Sequence, residues 1–254
     1  MSQSNQQAAP RTVLVTGAAG GMAAGINQKL IEQGHTVICA DLIFEKVQAE
    51  AVRLKSLEGN AFPLELDVSK VDSIRSALQQ LKDQSLNVDV IVNAAGILDR
   101  KSMADHDDES FQNVMLVNLV GPFNLIRLLS PGMVSRGWGR IINISSIAAR
   151  NGYPFPSYAA SKAGLSNLTR SLINDFWGTG VTVHNICPGL VNTPMADPRL
   201  IENAEKRIPT GAAVQPEEIG QAVVFLMQDA AASLNGSDFV MDGGVTSYFQ
   251  LFER

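Results

Sequence analysis

Short apolar runs rich in β-branched residues alternate along the chain with longer stretches in which apolar residues recur at helical spacing. Seven of the short runs are predicted as strands: residues 12–17, 36–41, 61–68, 89–96, 139–146, 181–189 and 237–244. Several are apolar almost throughout, which is typical of strands that are covered on both faces. Because strands and helices alternate, the pattern predicts an α/β fold, a doubly wound parallel sheet of about seven strands with helices on both faces.

No linker-like tract breaks this alternation. Residues 11–254 are therefore predicted to form a single domain, preceded by a disordered tail at residues 1–10. The least regular stretch, residues 190–215, follows the carboxyl end of a strand. Open α/β sheets bind their ligands at that edge, so this stretch is predicted to act as a substrate lid.

Composition narrows the classes of function. The chain has 254 residues, of which 45% are hydrophobic and 18% charged, as in ordinary globular proteins. A net charge of −5 without any Lys- or Arg-rich run argues against nucleic-acid or anionic-membrane partners. The chain shows no uninterrupted apolar stretch of membrane-spanning length, and its first ten residues lack a signal-peptide core. Cys39 and Cys187 lie in apolar runs, which suits a reducing compartment, and two cysteines alone make no zinc site. We expect a cytoplasmic protein with a small-molecule partner and no metal.

A glycine-rich turn follows the first predicted strand and opens a helix. It contains Gly17, Gly20 and Gly21, and Met22 comes next. Small residues let the backbone approach a ligand closely, and the exposed N–H groups at a helix start favour a diphosphate. Asp41 ends the second strand, where a carboxylate can accept hydrogen bonds from both ribose hydroxyls and would repel a 2′-phosphate. Together these features predict a dinucleotide site and favour NAD over NADP, although a plain turn and a solvated Asp are the structural alternatives.

Polar or small residues also follow the next two strands. They are Asp67 and Val68 at the third strand and Asn93, Ala94 and Gly96 at the fourth. Parallel strands bring their carboxyl ends to one edge, so these residues are candidates for cofactor contacts. Either segment alone is also explained by the polar and small residues that turns ordinarily contain.

Tyr158 and Lys162 form the candidate catalytic pair. They are spaced i, i+4 in a segment that opens a helix, so they share one face at about 6 Å. The ordinary pKa of Tyr is about 10, so acid–base work at neutral pH needs a nearby ammonium that favours the phenolate. The spacing alone is equally compatible with a helix pair that has no catalytic role, in which Tyr158 packs in the core and Lys162 is exposed to solvent.

Two neighbouring segments supply further candidates. The fifth strand ends in Ser145 and Ser146, and because side chains alternate along a strand only one can face the reacting centre. Asn118 lies in an apolar helical run, where an Asn is unfavourable unless its side chain bonds a partner.

In order and spacing, these motifs resemble those of the short-chain dehydrogenase/reductase family. The similarity runs from Thr12 to about Gly244. The matching segments are Thr16–Ala23, Asn93–Gly96, Tyr158 with Lys162, Pro188–Gly189 followed by Thr193, and Met241–Gly244. Each motif alone is weak, but their order and spacing together are specific. The resemblance implies a Rossmann-type domain and, because the family is commonly tetrameric, a homotetramer.

The chain departs from the family pattern at three places. Ala23 stands for the third Gly of the turn, which related fingerprints tolerate. Ala94 replaces an Asn and removes one possible hydrogen bond. The loop between Ser146 and Tyr158 is one residue shorter than usual, which leaves Ser145 as a rival for the catalytic Ser. We assign Ser146, because alignment along the strand puts it in register.

The resemblance implies a role for each candidate. Ser146 and Tyr158 would hydrogen-bond the substrate oxygen, and the Tyr158 phenolate would take the alcohol proton while hydride passes to the nicotinamide. Lys162 would lower the pKa of Tyr158 and bind the nicotinamide ribose, and Asn118 would hold a water that links Lys162 to solvent. The implied cofactor contacts are Gly17, Gly20, Gly21, Met22, Asp41, Asp67, Val68, Asn93, Ala94, Gly96, Tyr158, Lys162, Pro188, Gly189, Val191 and Thr193. Tyr153 and Met195 are expected beside the substrate.

We therefore predict an NAD-dependent oxidoreductase that interconverts a secondary alcohol and its ketone. Two alternatives stay open: an NADPH-dependent carbonyl or 3-oxoacyl reductase, which Asp41 argues against, and a catalytically silent dinucleotide-binding regulatory protein. The silent protein would be expected to lose part of the catalytic set, all of which is present. The small-residue helix 159–164 and the apolar chain end 248–252 are expected to pack on other subunits.

Overall fold

The seven predicted strands pair in one parallel sheet. The structure is a computed structural model and describes residues 9–193 and 198–248. The strands are β1 (Thr12–Thr16), β2 (Thr36–Asp41), β3 (Asn60–Glu65), β4 (Val90–Asn93), β5 (Gly139–Ile144), β6 (Val181–Pro188) and β7 (Asp238–Met241). Their spatial order is β3-β2-β1-β4-β5-β6-β7, with parallel neighbours throughout. The predicted doubly wound α/β fold is confirmed.

Helices connect the strands. They are α1 (Gly21–Glu32), α2 (Phe44–Lys55), α3 (Val71–Asp83), α4 (Asp108–Met115), α5 (Gly121–Ser135), α6 (Pro156–Asp175), α7 (Pro198–Glu205) and α8 (Pro216–Met227). A π-helical turn at Leu116–Val120 joins α4 to α5, and a 3₁₀ turn at Ile147–Ala149 follows β5. Helix α7 lies inside the stretch 190–215, where the sequence pattern predicts the least regular part of the chain.

Two helical layers bury the two faces of the sheet. In β1, Val13 and Val15 pack with α1, α2 and α8, whereas Leu14 packs with the layer that contains α3 and α5. All three side chains are fully buried. Each contributes on the order of 1.5–3 kcal/mol to the stability of the fold through removal of apolar surface from water. Because side chains alternate along β1, this burial determines which helical layer packs on each face of the sheet.

Most of the predicted strands were too long at their carboxyl ends. The third, fourth, fifth and seventh run two or three residues beyond the observed ends at Glu65, Asn93, Ile144 and Met241. Side chains take over the backbone pairing there: the Thr16 hydroxyl accepts from the N–H groups after β4, at 3.1 Å each. The residues beyond these ends therefore form the loops at the carboxyl edge of the sheet.

One helical stretch, Asp108–Ser135, is long and apolar enough to cross a membrane by length and composition alone. Sequence analysis found no uninterrupted apolar run of that length, because polar residues such as Asn118 interrupt it. Its inner side packs on the sheet through Leu125, Ile126 and Met133, which are buried. Packing in the fold therefore accounts for much of its apolar character.

Candidate active site

The glycine-rich turn after β1 lies at the point where strand order reverses, between β1 and β4. Gly17 has a φ of +64°, and a Cβ there would come within 2.8 Å of the Ala95 Cα, so both conformation and space require glycine. Helix α1 begins at Gly21, and its N-cap, Gly20, provides no side-chain cap. The first N–H groups of a helix lack intrahelical acceptors. The turn therefore suits a diphosphate group.

Asp41 lies beside this turn at the end of β2. Its Oδ2 accepts from the Ala19 N–H at 3.2 Å, and its Oδ1 accepts from the Leu42 N–H at 2.8 Å. The carboxylate is half-buried. Arg53 of α2 pairs with Glu50 at 2.8 Å and is directed onto α1, so it does not neutralise Asp41. The residues present fit the ribose end of a dinucleotide.

The loops after β3 and β4 differ from the expectation in detail. Asp67 accepts from the N–H and the hydroxyl of Ser69 and pairs with Lys70 at 3.1 Å. Burial alone would raise the pKa of Asp67, but these partners outweigh it and the pKa is lowered. Val68 is buried beside Asp67. The Asn93 side chain is buried inside the sheet, where it donates to Asn143 at 2.7 Å, so a cofactor contact of Asn93 would involve its backbone.

A cavity of about 600 Å³ contains the candidate reactive residues. Ser146 and Tyr158 line it together with Tyr153, as the sequence predicts. The Tyr153 and Tyr158 ring centroids are 5.7 Å apart. Gly189 and Val191 also line this cavity, next to Pro188 at the end of β6. Thr193 lines a separate cavity beside α1, together with Gly21. Met195 lies outside the described residues.

Lys162 lies behind Tyr158 and is almost fully buried, with 4% of its surface exposed. Its Nζ donates to the Ile144 carbonyl at 2.8 Å and lies 5.7 Å from the centroid of the Tyr158 ring. Burial lowers the pKa of Lys162 to about 8, because the interior disfavours the ammonium. The pair therefore shares one dry site, as the i, i+4 spacing predicts.

The pKa of Tyr158 moves in the opposite direction from the expectation. Burial raises it, because the phenolate loses hydration, and a hydrogen bond with Ser146 works against this rise. Lys162 shares its charge with the Ile144 carbonyl. In the protein alone, burial of Tyr158 therefore outweighs the hydrogen bond with Ser146. The lowering by Lys162 that the resemblance implies concerns the site with bound dinucleotide and stays a prediction.

The two serines at the end of β5 have different surroundings. Ser145 is buried against α6, where its hydroxyl donates to the Lys162 carbonyl at 3.1 Å and bonds Ser166 at 2.8 Å. Ser146 faces the cavity, and its Oγ accepts from the Ala148 N–H at 3.1 Å. Alternation along the chain thus leaves Ser146 as the serine that a substrate can reach.

Asn118 lies in the π-helical turn and is fully buried. Its Nδ2 donates to the Ile97 carbonyl at 2.9 Å and to Ser161 at 3.0 Å, and its Oδ1 accepts from the Ile97 N–H at 2.8 Å. A Cβ on Gly96 would lie 3.4 Å from both Asn118 Oδ1 and Lys162 Nζ, so these groups are neighbours. Both hydrogens of the Asn118 amide are engaged in these bonds. A water bound to this side chain would therefore have to donate a hydrogen bond to the amide oxygen.

A buried row of polar side chains underlies the site, and sequence reasoning missed it. Asn93, Asn143, Asn185 and Asp238 occupy paired positions on β4, β5, β6 and β7. Hydrogen bonds of 2.7–2.9 Å link them, with Thr169 of α6 between Asn143 and Asn185. Buried amides need such partners, so these hydrogen bonds link β4, β5, β6 and β7 across the sheet. Only strand register reveals it.

The fold and site define a class: a dinucleotide-binding oxidoreductase with a Ser, Tyr and Lys cluster in its ligand cleft. The family model described as enoyl-(acyl carrier protein) reductase matches residues 17–246. A 2-dehydro-3-deoxy-D-gluconate 5-dehydrogenase of Bacillus subtilis is 34% identical over 241 residues, which cover 92% of this chain and 94% of that protein. The chain belongs to the short-chain dehydrogenase/reductase family.

Two solved structures are similar to this one. The gluconate 5-dehydrogenase of Burkholderia cenocepacia, in complex with NADP and tartrate, is 29% identical with a TM-score of 0.88, over 94% of this chain and 96% of that one. A 3-oxoacyl-(acyl-carrier protein) reductase of Brucella melitensis with bound NAD is 30% identical with a TM-score of 0.89, over 95% and 94%. Members of this family bind a nicotinamide dinucleotide and act on small molecules.

Proposed function

We propose that the protein is an NAD(H)-dependent oxidoreductase that interconverts a secondary alcohol and its ketone. The observation that carries this proposal is the placement of Ser146 and Tyr158 in one cavity, with the buried Lys162 behind them. The three relatives are named as dehydrogenases or a reductase, which supports this reaction class.

Each side chain has a distinct task in this proposal. The hydroxyls of Ser146 and Tyr158 hydrogen-bond the substrate oxygen, and Tyr158 accepts the alcohol proton during oxidation and returns it during reduction. Lys162 supports the phenolate electrostatically. Asn118 fixes the loop at Ile97 beside Lys162 and would hold a water that passes the proton onward. The dinucleotide, held by the turn at Gly17–Met22, supplies hydride transfer when bound.

NAD is the proposed cofactor because of Asp41. A carboxylate at the end of β2 can accept from both ribose hydroxyls and repels a 2′-phosphate. Leu42 and Phe44, which follow it, are exposed and apolar, so they provide no cation for a phosphate. An NADPH-dependent carbonyl or 3-oxoacyl reductase is the alternative, and the two solved relatives carry different dinucleotides.

Asp41→Ser should shift cofactor preference toward NADP. Removing one negative charge next to the 2′ position should raise the ratio of kcat/KM for NADP to that for NAD by at least about tenfold. Glu45→Ser is the matched control, because Glu45 is an exposed carboxylate in the first turn of α2. A wild-type enzyme that prefers NADP would contradict the proposal.

A screen for NAD reduction over secondary alcohols graded by size and charge tests the reaction. Turnover of any member supports the proposal. Tight NADH binding without turnover of any member would favour a silent dinucleotide-binding regulatory protein instead.

A homotetramer is proposed as the working assembly. The outer side of the α4–α5 stretch exposes large apolar side chains: Phe111, Leu116, Val120 and Phe123. Ala160 and Ala163 are exposed on α6, which contacts α4. Exposed apolar area of this kind is typical of subunit contacts. The sequence predicts a subunit contact through residues 159–164 on α6 but not through the α4–α5 surface. The predicted contact at the chain end lies beyond residue 248, outside the described residues.

Phe123→Glu should weaken this assembly. A charge buried at an apolar contact should raise the dissociation constant at least about tenfold, measured by analytical ultracentrifugation at micromolar protein. Val52→Glu is the control, because Val52 is 64% exposed on a different helix, α2. A wild-type monomer at that concentration would overturn the proposed assembly.

A further inference from the structure

We propose that the substrate is a carboxylate-bearing alcohol or ketone, and that Arg207 binds its carboxylate. This inference rests on the proposed function, because it concerns the cavity that contains Ser146 and Tyr158. It adds the chemical class of the substrate and a residue that selects for it.

The cavity is apolar apart from a few groups. Its walls come largely from Leu98, Ile147, Leu190, Ile208 and Val245. Its uncharged polar lining residues are Ser146, Tyr153, Tyr158 and Asn203, and the hydroxyls of Ser146 and Tyr158 take the reacting oxygen in the proposed function. Among the described residues that line the cavity, the charged one is Arg207, and none is acidic. A ligand that fills this cavity therefore borders one cationic residue, the exposed Arg207, and none of the described acidic residues.

The acidic residues nearest in sequence to Arg207 are engaged elsewhere. Glu205 accepts from the Ala213 N–H at 3.0 Å and lines the separate cavity beside α1. Glu202 lines that same cavity and pairs with Lys206 at 3.5 Å. Within the described residues, no ion pair is formed by Arg207. Its charge is thus available to a ligand in the cavity.

The chemistry of Arg207 indicates which anion fits. A guanidinium presents a planar fork of N–H donors that matches a carboxylate in two parallel hydrogen bonds. A phosphoryl group carries more charge, and the described residues that line this cavity include no second cation for it. One Arg in a largely apolar lining therefore suits a single carboxylate, joined to the reacting carbon through an apolar chain or ring.

Arg150, which follows the active-site turn in sequence, is a weaker candidate. It pairs with Asp238 at 3.3 Å, and the Asp238 side chain is only 3% exposed. Asp238 is also bound by Arg170 and by Asn185. Arg150 is thus committed to the buried row of polar side chains under the sheet.

Paired hydroxy acids and their primary amides test this assignment with the NAD-loaded enzyme. The two members of each pair differ chiefly in charge. We expect kcat/KM to favour the acid by at least about tenfold, and Arg207→Met to remove that preference while leaving kcat/KM for the amide within about threefold. Arg207→Lys should keep part of the preference. Lys206→Met is the matched control, since Lys206 is the adjacent cation and pairs with Glu202.

A binding measurement separates this inference from the proposed reaction. Calorimetry of benzoate and benzamide on the NADH-loaded enzyme needs no turnover. Preferential binding of benzoate that Arg207→Met abolishes would support the inference even if no alcohol is oxidised. The inference would be overturned by equal binding or equal kcat/KM within the pairs, or by an acid preference that survives in Arg207→Met. If alcohols are still oxidised in that case, the proposed reaction is not affected.

Discussion

Tyr158→Phe should lower kcat for alcohol oxidation by about a thousandfold or more while NADH affinity changes less than about threefold. The substitution removes a single oxygen, which is the group proposed to carry the substrate proton. Phe fills the same space, and the contacts of the ring with Tyr153 at 5.7 Å are preserved. The loss should therefore appear in turnover, measured as NADH absorbance under saturating cofactor and alcohol, and not in folding.

Tyr153→Phe is the matched control for this experiment. Tyr153 lines the same cavity and carries the same hydroxyl group, but in the proposal it contacts only the substrate. Its loss should reduce kcat by less than about tenfold. If Tyr158→Phe retains wild-type turnover, or if Tyr153→Phe proves equally damaging, the acid–base assignment fails.

Lys162→Met should lower kcat at pH 7 by about a hundredfold or more. The substitution removes the ammonium whose Nζ lies 5.7 Å from the Tyr158 ring and replaces it with a side chain of similar length. Burial already raises the pKa of Tyr158. Without the cation the phenolate is less favoured still, so the acidic limb of the pH profile for alcohol oxidation should move to higher pH. A profile that keeps its wild-type position would contradict the proposed role of Lys162.

The same variant should change stability with a definite sign. Burial lowers the pKa of Lys162 to about 8 from its ordinary 10.5. Between these values the unfolded chain holds the proton that the folded chain has lost, so the free energy of unfolding of the wild type rises with pH over this window. The free energy of unfolding of Lys162→Met lacks this rise. Relative to the wild type, the variant should therefore be most stable below pH 8. Urea titrations of both proteins at pH 7 and pH 10 would measure the difference.

The turn at Gly17, the position of Asp41 and the Tyr158–Lys162 pair could be predicted because each depends on residues that are close together in the sequence. A turn at Gly17 needs glycine for its positive φ, and Asp41 ends a strand whose position follows from its apolar pattern. The spacing of Tyr158 and Lys162 fixes their shared face on α6 whatever surrounds them. Asn93 shows the limit of this reasoning. Its motif predicts a cofactor contact, but the paired position on β5 holds Asn143, which binds its side chain inside the sheet.

The doubly wound α/β fold, the family and the catalytic candidates could be predicted from the chain alone, since alternating hydrophobicity and fixed spacings are properties of neighbouring residues. The surroundings and ionisation of each side chain depend on packing between distant segments. Burial, which no local pattern reports, raises the pKa of Tyr158 and lowers that of Lys162. The packing of Ser145 on α6 leaves Ser146 at the cavity, and the fold brings Arg207 to the cavity that contains Tyr158. These outcomes depend on distances between segments far apart in the chain, and only the folded protein sets those distances.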